Sequence, residues 1–244
     1  MGRRWTKLAV AVPLAAVVAA TAGTWVYLNV IRDDAPDRLT LGGATDGDGP
    51  SGATTTTTGA TAGPPGTASS ATGVEGTWTV APGSVAGYRV QEVLFGQRAE
   101  AVGRTEDVTG RFVIDGAAVT SGSFTVDMTT VRSDESRRDG QFRGRIMDVA
   151  TYPTSTFTLT RPIPRPDVPG DGRAVPVEVT GDLTLRGTTR PVTFTVSAQQ
   201  DGSTLKVAGT IPIVFADWGI PNPSGGPART EDDGELEFLL VLGR

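Results

Sequence analysis

From Gly76 onward the chain alternates apolar and polar residues with a period of two, in one segment after another. Trp78 and Val80 alternate with Thr77 and Thr79; Phe112 and Ile114 sit between Arg111 and Asp115; Phe124, Val126 and Met128 lie opposite Ser123, Thr125 and Asp127. The pattern returns at Phe157 and Leu159, over residues 177–185, at Val192, Phe194 and Val196, over residues 205–215, and at Leu236, Phe238, Leu240 and Leu242. Successive side chains of a strand point to opposite faces, so each segment reads as a strand with one apolar face. Asp115-Gly116, Asp171-Gly172, Arg186-Gly187 and Asp201-Gly202 supply the turns between them. About eight to ten such strands and no long amphipathic helix define an all-β, antiparallel fold. Long strands over residues 174–186, 190–199 and 204–215, joined tightly, favour a closed up-and-down barrel, which leaves no exposed edge. Pro212 inside the last of these predicts an edge or a bulge there.

One segment breaks the alternation. Residues 132–157 read RSDESRRDGQFRGRIMDVATYPTSTF, with nine charged side chains and the apolar Phe142, Ile146 and Met147 among them. Arg138, Phe142 and Ile146 follow i, i+4, i+8, which places them on one side of a short helix. A charged helical insertion with a narrow apolar stripe, set between strands, reads as a lid. Asp134/Arg138 and Asp139/Arg143 have the spacing of helix-stabilising pairs, and Arg138 and Arg143 are also candidates for a ligand's anionic head group.

The chain before Gly76 has a different character. Three basic residues in positions 1–7 precede an uncharged, Ala/Val/Leu-rich run from Leu8 to Ile31 with Trp25 and Tyr27 near its end. About 20 apolar residues span a bilayer. The basic start predicts a single-pass anchor over 1–31 with the N-terminus cytoplasmic and the rest extracytoplasmic. The competing reading is a signal peptide cleaved near Ala20-Thr21-Ala22, which exports the domain equally. Residues 32–75 are rich in Thr, Gly, Ala and Pro, with few large apolar side chains, and read as a disordered linker. A flexible chain of that length has an end-to-end distance of roughly 35–40 Å. The barrel then occupies residues 76–244.

Composition narrows the chemistry. There is no Cys and no His, which removes disulfides, thiolate nucleophiles, the commonest general base and the commonest metal ligand. No Gly-x-Ser-x-Gly elbow and no phosphate-binding loop occur, so no catalytic residue, metal ligand or cofactor is assigned. An enzyme acting on a lipid would have to work through Tyr88, Asp139 or Arg143. The net charge of −5 falls entirely after residue 74 and argues against nucleic acid as a partner.

If the apolar faces point inward, the barrel is lined by Phe112, Phe124, Met128, Phe157, Leu183, Phe194, Phe215 and Phe238. Eight-stranded barrels are either filled by such side chains or hold one small ligand. The lid favours the second, because a filled barrel needs no cover. Phe142, Ile146 and Met147 would close the cavity. Residues 216–234 form a Pro- and Gly-rich connection that reads as a second mouth loop carrying Trp218. Its acidic cluster Glu231, Asp232 and Asp233 lacks the spacing of a calcium loop.

These segments, in this order, resemble a known family. GTWTVAPGS, GRFVIDG, the stretch SFTVDMTTVRSDESRRDGQFRGRIMDVATYPTSTFTLT, TGDLTLRGTTRPVTFTV and IPIVFADWGIPNP are similar to the YceI-like family of exported bacterial proteins. The resemblance covers about residues 76–243. It implies a lipocalin-like antiparallel barrel of eight strands whose apolar channel holds a long isoprenoid or other long-chain lipid, such as a polyprenyl quinone or polyprenyl phosphate. A homodimer is admitted. Family members usually carry His in the strand after the first Trp; here GSVAGYRVQEVLFG has none, so no role of those residues carries over.

Overall fold

The computed structural model of the chain describes residues 35–42, 74–94, 96–164, 168, 172–225 and 228–244. The expected membrane anchor at residues 1–31 and most of the expected linker lie outside them. Among the described residues no helix is long and apolar enough to cross a membrane.

Among the described residues thirteen strands form one antiparallel sheet: β1 Gly76–Val80, β2 Val85–Leu94, β3 Gln97–Thr105, β4 Val108–Asp115, β5 Ala118–Asp127, β6 Arg132–Ser133, β7 Thr154–Leu159, β8 Ile163–Pro164, β9 Val175–Leu185, β10 Thr188–Asp201, β11 Thr204–Val214, β12 Ala228–Thr230 and β13 Asp233–Gly243. β13 carries β11 along one edge, and on the other carries β2 over residues 235–239 and β1 at residues 242–243. β1 and β2 therefore act as one interrupted stave. β3 pairs with β2 and β4 with β1, so these two form the next stave. The staves then run β5, β7, β9, β10, β11 and β13 in sequence order, and the β1–β13 pairing closes the ring. This is an up-and-down barrel of eight staves, in which successive staves are neighbours and the first and last close the ring.

The alternation fixes which side chains enter. Phe124, Val126, Phe157, Leu183, Phe194, Val196, Phe238, Leu240 and Leu242 are buried in a single core cluster. Pro212 is accommodated because β11 pairs with β10 only up to Gly209; beyond it β11 has β13 alone, and the missing N–H costs no ladder bond on the open side. The splay between β10 and β11 is sealed by the 3-10 turn Phe215–Trp218. Trp218 is buried there, its indole N–H donating to the Leu183 carbonyl at 3.4 Å, with the Arg190 guanidinium 5.9 Å above the ring.

Part of the expected linker lies on the barrel. Residues 35–42 form a strap across the outer wall of β2, β3 and β13. Arg89 donates to the Pro36 carbonyl at 2.6 Å, Arg104 donates to the Asp37 carbonyl, and Arg38 pairs with Glu235. Leu39 and Leu41 are half-buried. Beneath the strap, Glu237 takes Arg104 at 2.7 Å and Arg89 at 3.4 Å, and Arg89 also pairs with Glu100. Arg89 and Glu237 are 4% and 2% exposed although both point away from the barrel interior. Low linker complexity hid this contact: its determinants are a short PDRL sequence and charged residues on the wall.

Candidate functional site

The mouth of the barrel is built by the segment that breaks the alternation. Helix α1, Ser136–Gln141, starts at Glu135, whose carboxylate accepts from the Arg137 N–H at 3.0 Å. It runs directly into a π-helical turn, Phe142–Ile146. Asp139 is buried and takes the Ser133 N–H at 2.8 Å and hydroxyl at 2.7 Å, tying the helix to β6. Its distance to Arg143 is 4.0 Å, so the expected Asp139/Arg143 pair is secondary to this cap. Phe142 stacks on Tyr88 of β2 with ring centroids 5.0 Å apart. At the far side of the lid, Arg145 donates to the carbonyls of Asn222 at 3.1 Å and Pro223 at 3.0 Å, joining it to the Pro-rich loop. The acidic cluster of that loop is used internally: Asp232 accepts from Asn222 at 2.8 Å.

Beneath the lid lies an apolar chamber of about 570 Å³. Phe124, Met128, Arg138, Phe142, Ile146, Met147, Leu183 and Phe215 line it, together with Tyr88, Glu92 and Ser155. A second apolar chamber of about 350 Å³ occupies the opposite end and is lined by Phe112, Phe157 and Phe194 among others. The interior is therefore not filled. Nor is it one open channel, because four phenylalanines meet at its middle. Phe124 contacts Phe157 and Phe238, and Phe194 contacts both of these as well, with centroid distances of 5.3 to 6.0 Å around the cycle.

Two expected site residues face neither chamber. Trp218 is committed to the wall through Leu183. Arg143 lies beside the buried Asp139, its side chain about a third exposed but its Nη1 buried. Glu92, Ser155 and Tyr88 are among the chamber residues that the expected site left out. Glu92 shares the inward parity of Tyr88 and Val90, and that parity was its signal. Ser155 precedes Phe157 by two, so it faces the same way; its hydroxyl is buried without a hydrogen-bond partner among the described residues. Tyr88 is the floor on which the lid rests.

The electrostatics of the mouth are nearly self-compensated. Arg138 pairs with Asp134 and lies 3.5 Å from Glu92. Burial pushes the Tyr88 phenol well above its ordinary value; Arg138 pulls it down, while Asp139, Asp134 and Glu92 add to the rise. The folded state thus holds this proton more tightly than the unfolded state. Its stabilising contribution is complete below the ordinary phenol value of about 10 and declines as pH rises beyond it. Tyr88→Phe is expected to flatten the fall in stability above about pH 10, measured as denaturant midpoints on the alkaline side. An unchanged alkaline limb would show that Tyr88 does not govern it.

A YceI-like domain model matches residues 78–242, which is more than half of the chain and the whole barrel. The chain belongs to the YceI-like family. A UPF0312 protein of Vibrio vulnificus is 34% identical over 128 residues, covering 49% of this chain and 64% of that protein. Protein YceI of Escherichia coli O157:H7 is 35% identical over 95 residues, covering 38% of this chain and 46% of the other. The chain thus spans just under two thirds of its Vibrio relative's length. Among solved structures, a polyisoprenoid binding domain from Saccharophagus degradans superposes with a TM-score of 0.54 at 16% identity, over 68% of this chain and 97% of that one. At that identity the likeness establishes the YceI-like fold. Among the described residues no group of three metal-ligating side chains occurs.

Proposed function

We propose that this YceI-like chain is a membrane-tethered, extracytoplasmic binding protein for an isoprenoid or other long-chain lipid, and not an enzyme. The observation that carries the reading is the apolar chamber of about 570 Å³ lined on its lid side by Phe142, Ile146 and Met147. The Saccharophagus neighbour, described as polyisoprenoid binding, supports it. Burial of hydrocarbon supplies about 0.8 kcal/mol per methylene, so a tail alone provides the affinity once the cost of association is met.

The head group is neutral, as in a polyprenyl quinone or alcohol, rather than a phosphate. Arg138 is already matched by Asp134 and Glu92, and a dianion placed there would meet those carboxylates. The Ser155 hydroxyl offers a donor or acceptor to an uncharged oxygen.

The proposed anchor ends at Ile31 and the first contact of the strap with the wall is at Pro36, a reach of at most about 18 Å. The wall of β2, β3 and β13, which the strap crosses, then lies on the membrane side. The full-length chain, expressed in bacteria, is expected in the membrane fraction after a carbonate wash. An organic extract of the purified protein is expected to yield a polyprenyl compound by mass spectrometry. A well-folded sample yielding only solvent would sink the ligand reading, and a wash that releases the chain would sink the anchor.

A further inference from the structure

The four-ring contact at mid-barrel lies where a ligand's tail would end. We propose that Phe124, Phe157, Phe194 and Phe238 are the length stop of the site, so that the mouth chamber alone takes an isoprenoid of about four units with its tip against the rings. The proposal rests on the lipid-binding reading above and deepens it by naming the ligand's length class.

Three observations support the stop. Among the described residues only Phe124 and Phe238 line both chambers, so the rings are their common wall. The rings touch in a closed cycle, leaving no side of the barrel open past them. Two of them also lack room to retreat outward. Phe157 lies on Gly181, where a Cβ would come within 2.3 Å of the ring, and Phe238 lies on Gly209, where a Cβ would come within 2.7 Å. These rings are already flat against the wall. A longer chain must drive a ring along the axis into the far chamber, consuming the volume the chain itself needs.

Volume gives the length. A cavity of about 150 Å³ holds one benzene, so on that scale the mouth chamber of about 570 Å³ takes roughly twenty carbon atoms. The far chamber of about 350 Å³ would add roughly fourteen if the wall were removed.

The test is a series of isoprenoid alcohols, from geraniol through farnesol and geranylgeraniol to a polyprenol of about eight units, competing against a fluorescent fatty-chain probe on the delipidated full-length protein. For the wild type, affinity is expected to climb by about tenfold or more per unit up to geranylgeraniol and then stay level. In Phe194→Ala the climb is expected to continue, with the longest alcohol gaining about tenfold or more over geranylgeraniol. Phe194→Leu, which leaves a smaller void, is expected to show a lesser gain and serves if the alanine variant does not fold. An uninterrupted climb in the wild type would overturn the stop, as would a plateau unchanged in both variants. Binding of no alcohol by any of the three proteins would overturn the stop together with the lipid reading.

Discussion

Glu237→Ala is expected to lower the unfolding free energy by about 3 kcal/mol, the lower end of the range for breaking a buried ion pair. Glu237 is 2% exposed and is the shared acceptor of Arg104, at 2.7 Å, and Arg89, at 3.4 Å. Its removal leaves two guanidinium groups facing each other under the strap. Arg89 keeps Glu100 and the Pro36 carbonyl, which holds the loss to the low end. Glu237→Gln, which retains an acceptor, should cost less. Denaturant unfolding measures both. The same substitution is expected to loosen residues 35–42, read as faster amide exchange there. Full stability in the alanine variant would show that the strap and its charges are mutually indifferent.

Phe142→Ala is expected to cost about 3–5 kcal/mol, the range for a buried phenylalanine truncated to alanine. The loss falls mainly on the lid. Phe142 is 6% exposed, and its stack on Tyr88 is the aromatic contact fastening the helical segment to β2. Without it, the remaining fastenings are the Asp139 cap on Ser133, the Arg138 contacts and the Arg145 bonds to the Asn222 and Pro223 carbonyls. All are polar, and the Arg145 bonds and the Arg138–Asp134 pair are exposed to water, where such contacts are weak. Residues 136–146 should exchange their amides sooner than the barrel strands, and a bound long-chain probe should leave faster. Uniform destabilisation of barrel and lid together, with an unchanged release rate, would show that Phe142 is simply part of the core and that the segment does not act as a lid.

The barrel was legible because its rule is local. Period-two alternation identifies inward side chains one strand at a time, and tight turns leave each strand beside the next, so Phe124, Phe157, Phe194 and Phe238 could be assigned to the interior without coordinates. The lid was legible for the opposite reason, as the place where that period fails. Arg143 and Trp218 show the limit of such reasoning. Both sit in segments correctly placed at the mouth, yet the helical phase sets Arg143 beside the buried Asp139 and away from the chamber lining, and the divergence of β10 from β11 draws Trp218 into the wall. Neither divergence nor phase at a π-turn is written in a hydrophobic pattern. The linker reading failed over residues 35–42 because composition measures whether a segment can build a core of its own, not whether a finished surface elsewhere will bind it.

What the sequence determined by itself is the closed antiparallel wall, the identity of its apolar lining and the family, because these depend on residue order and spacing along one strand after another. What only the tertiary structure decided is how the lining side chains from different strands meet. Whether rings from β5, β7, β10 and β13 leave a channel, fill it or cross it depends on register and on the glycines opposite them. In this chain they cross it, with Gly181 and Gly209 receiving two of the rings, and one expected channel becomes two chambers.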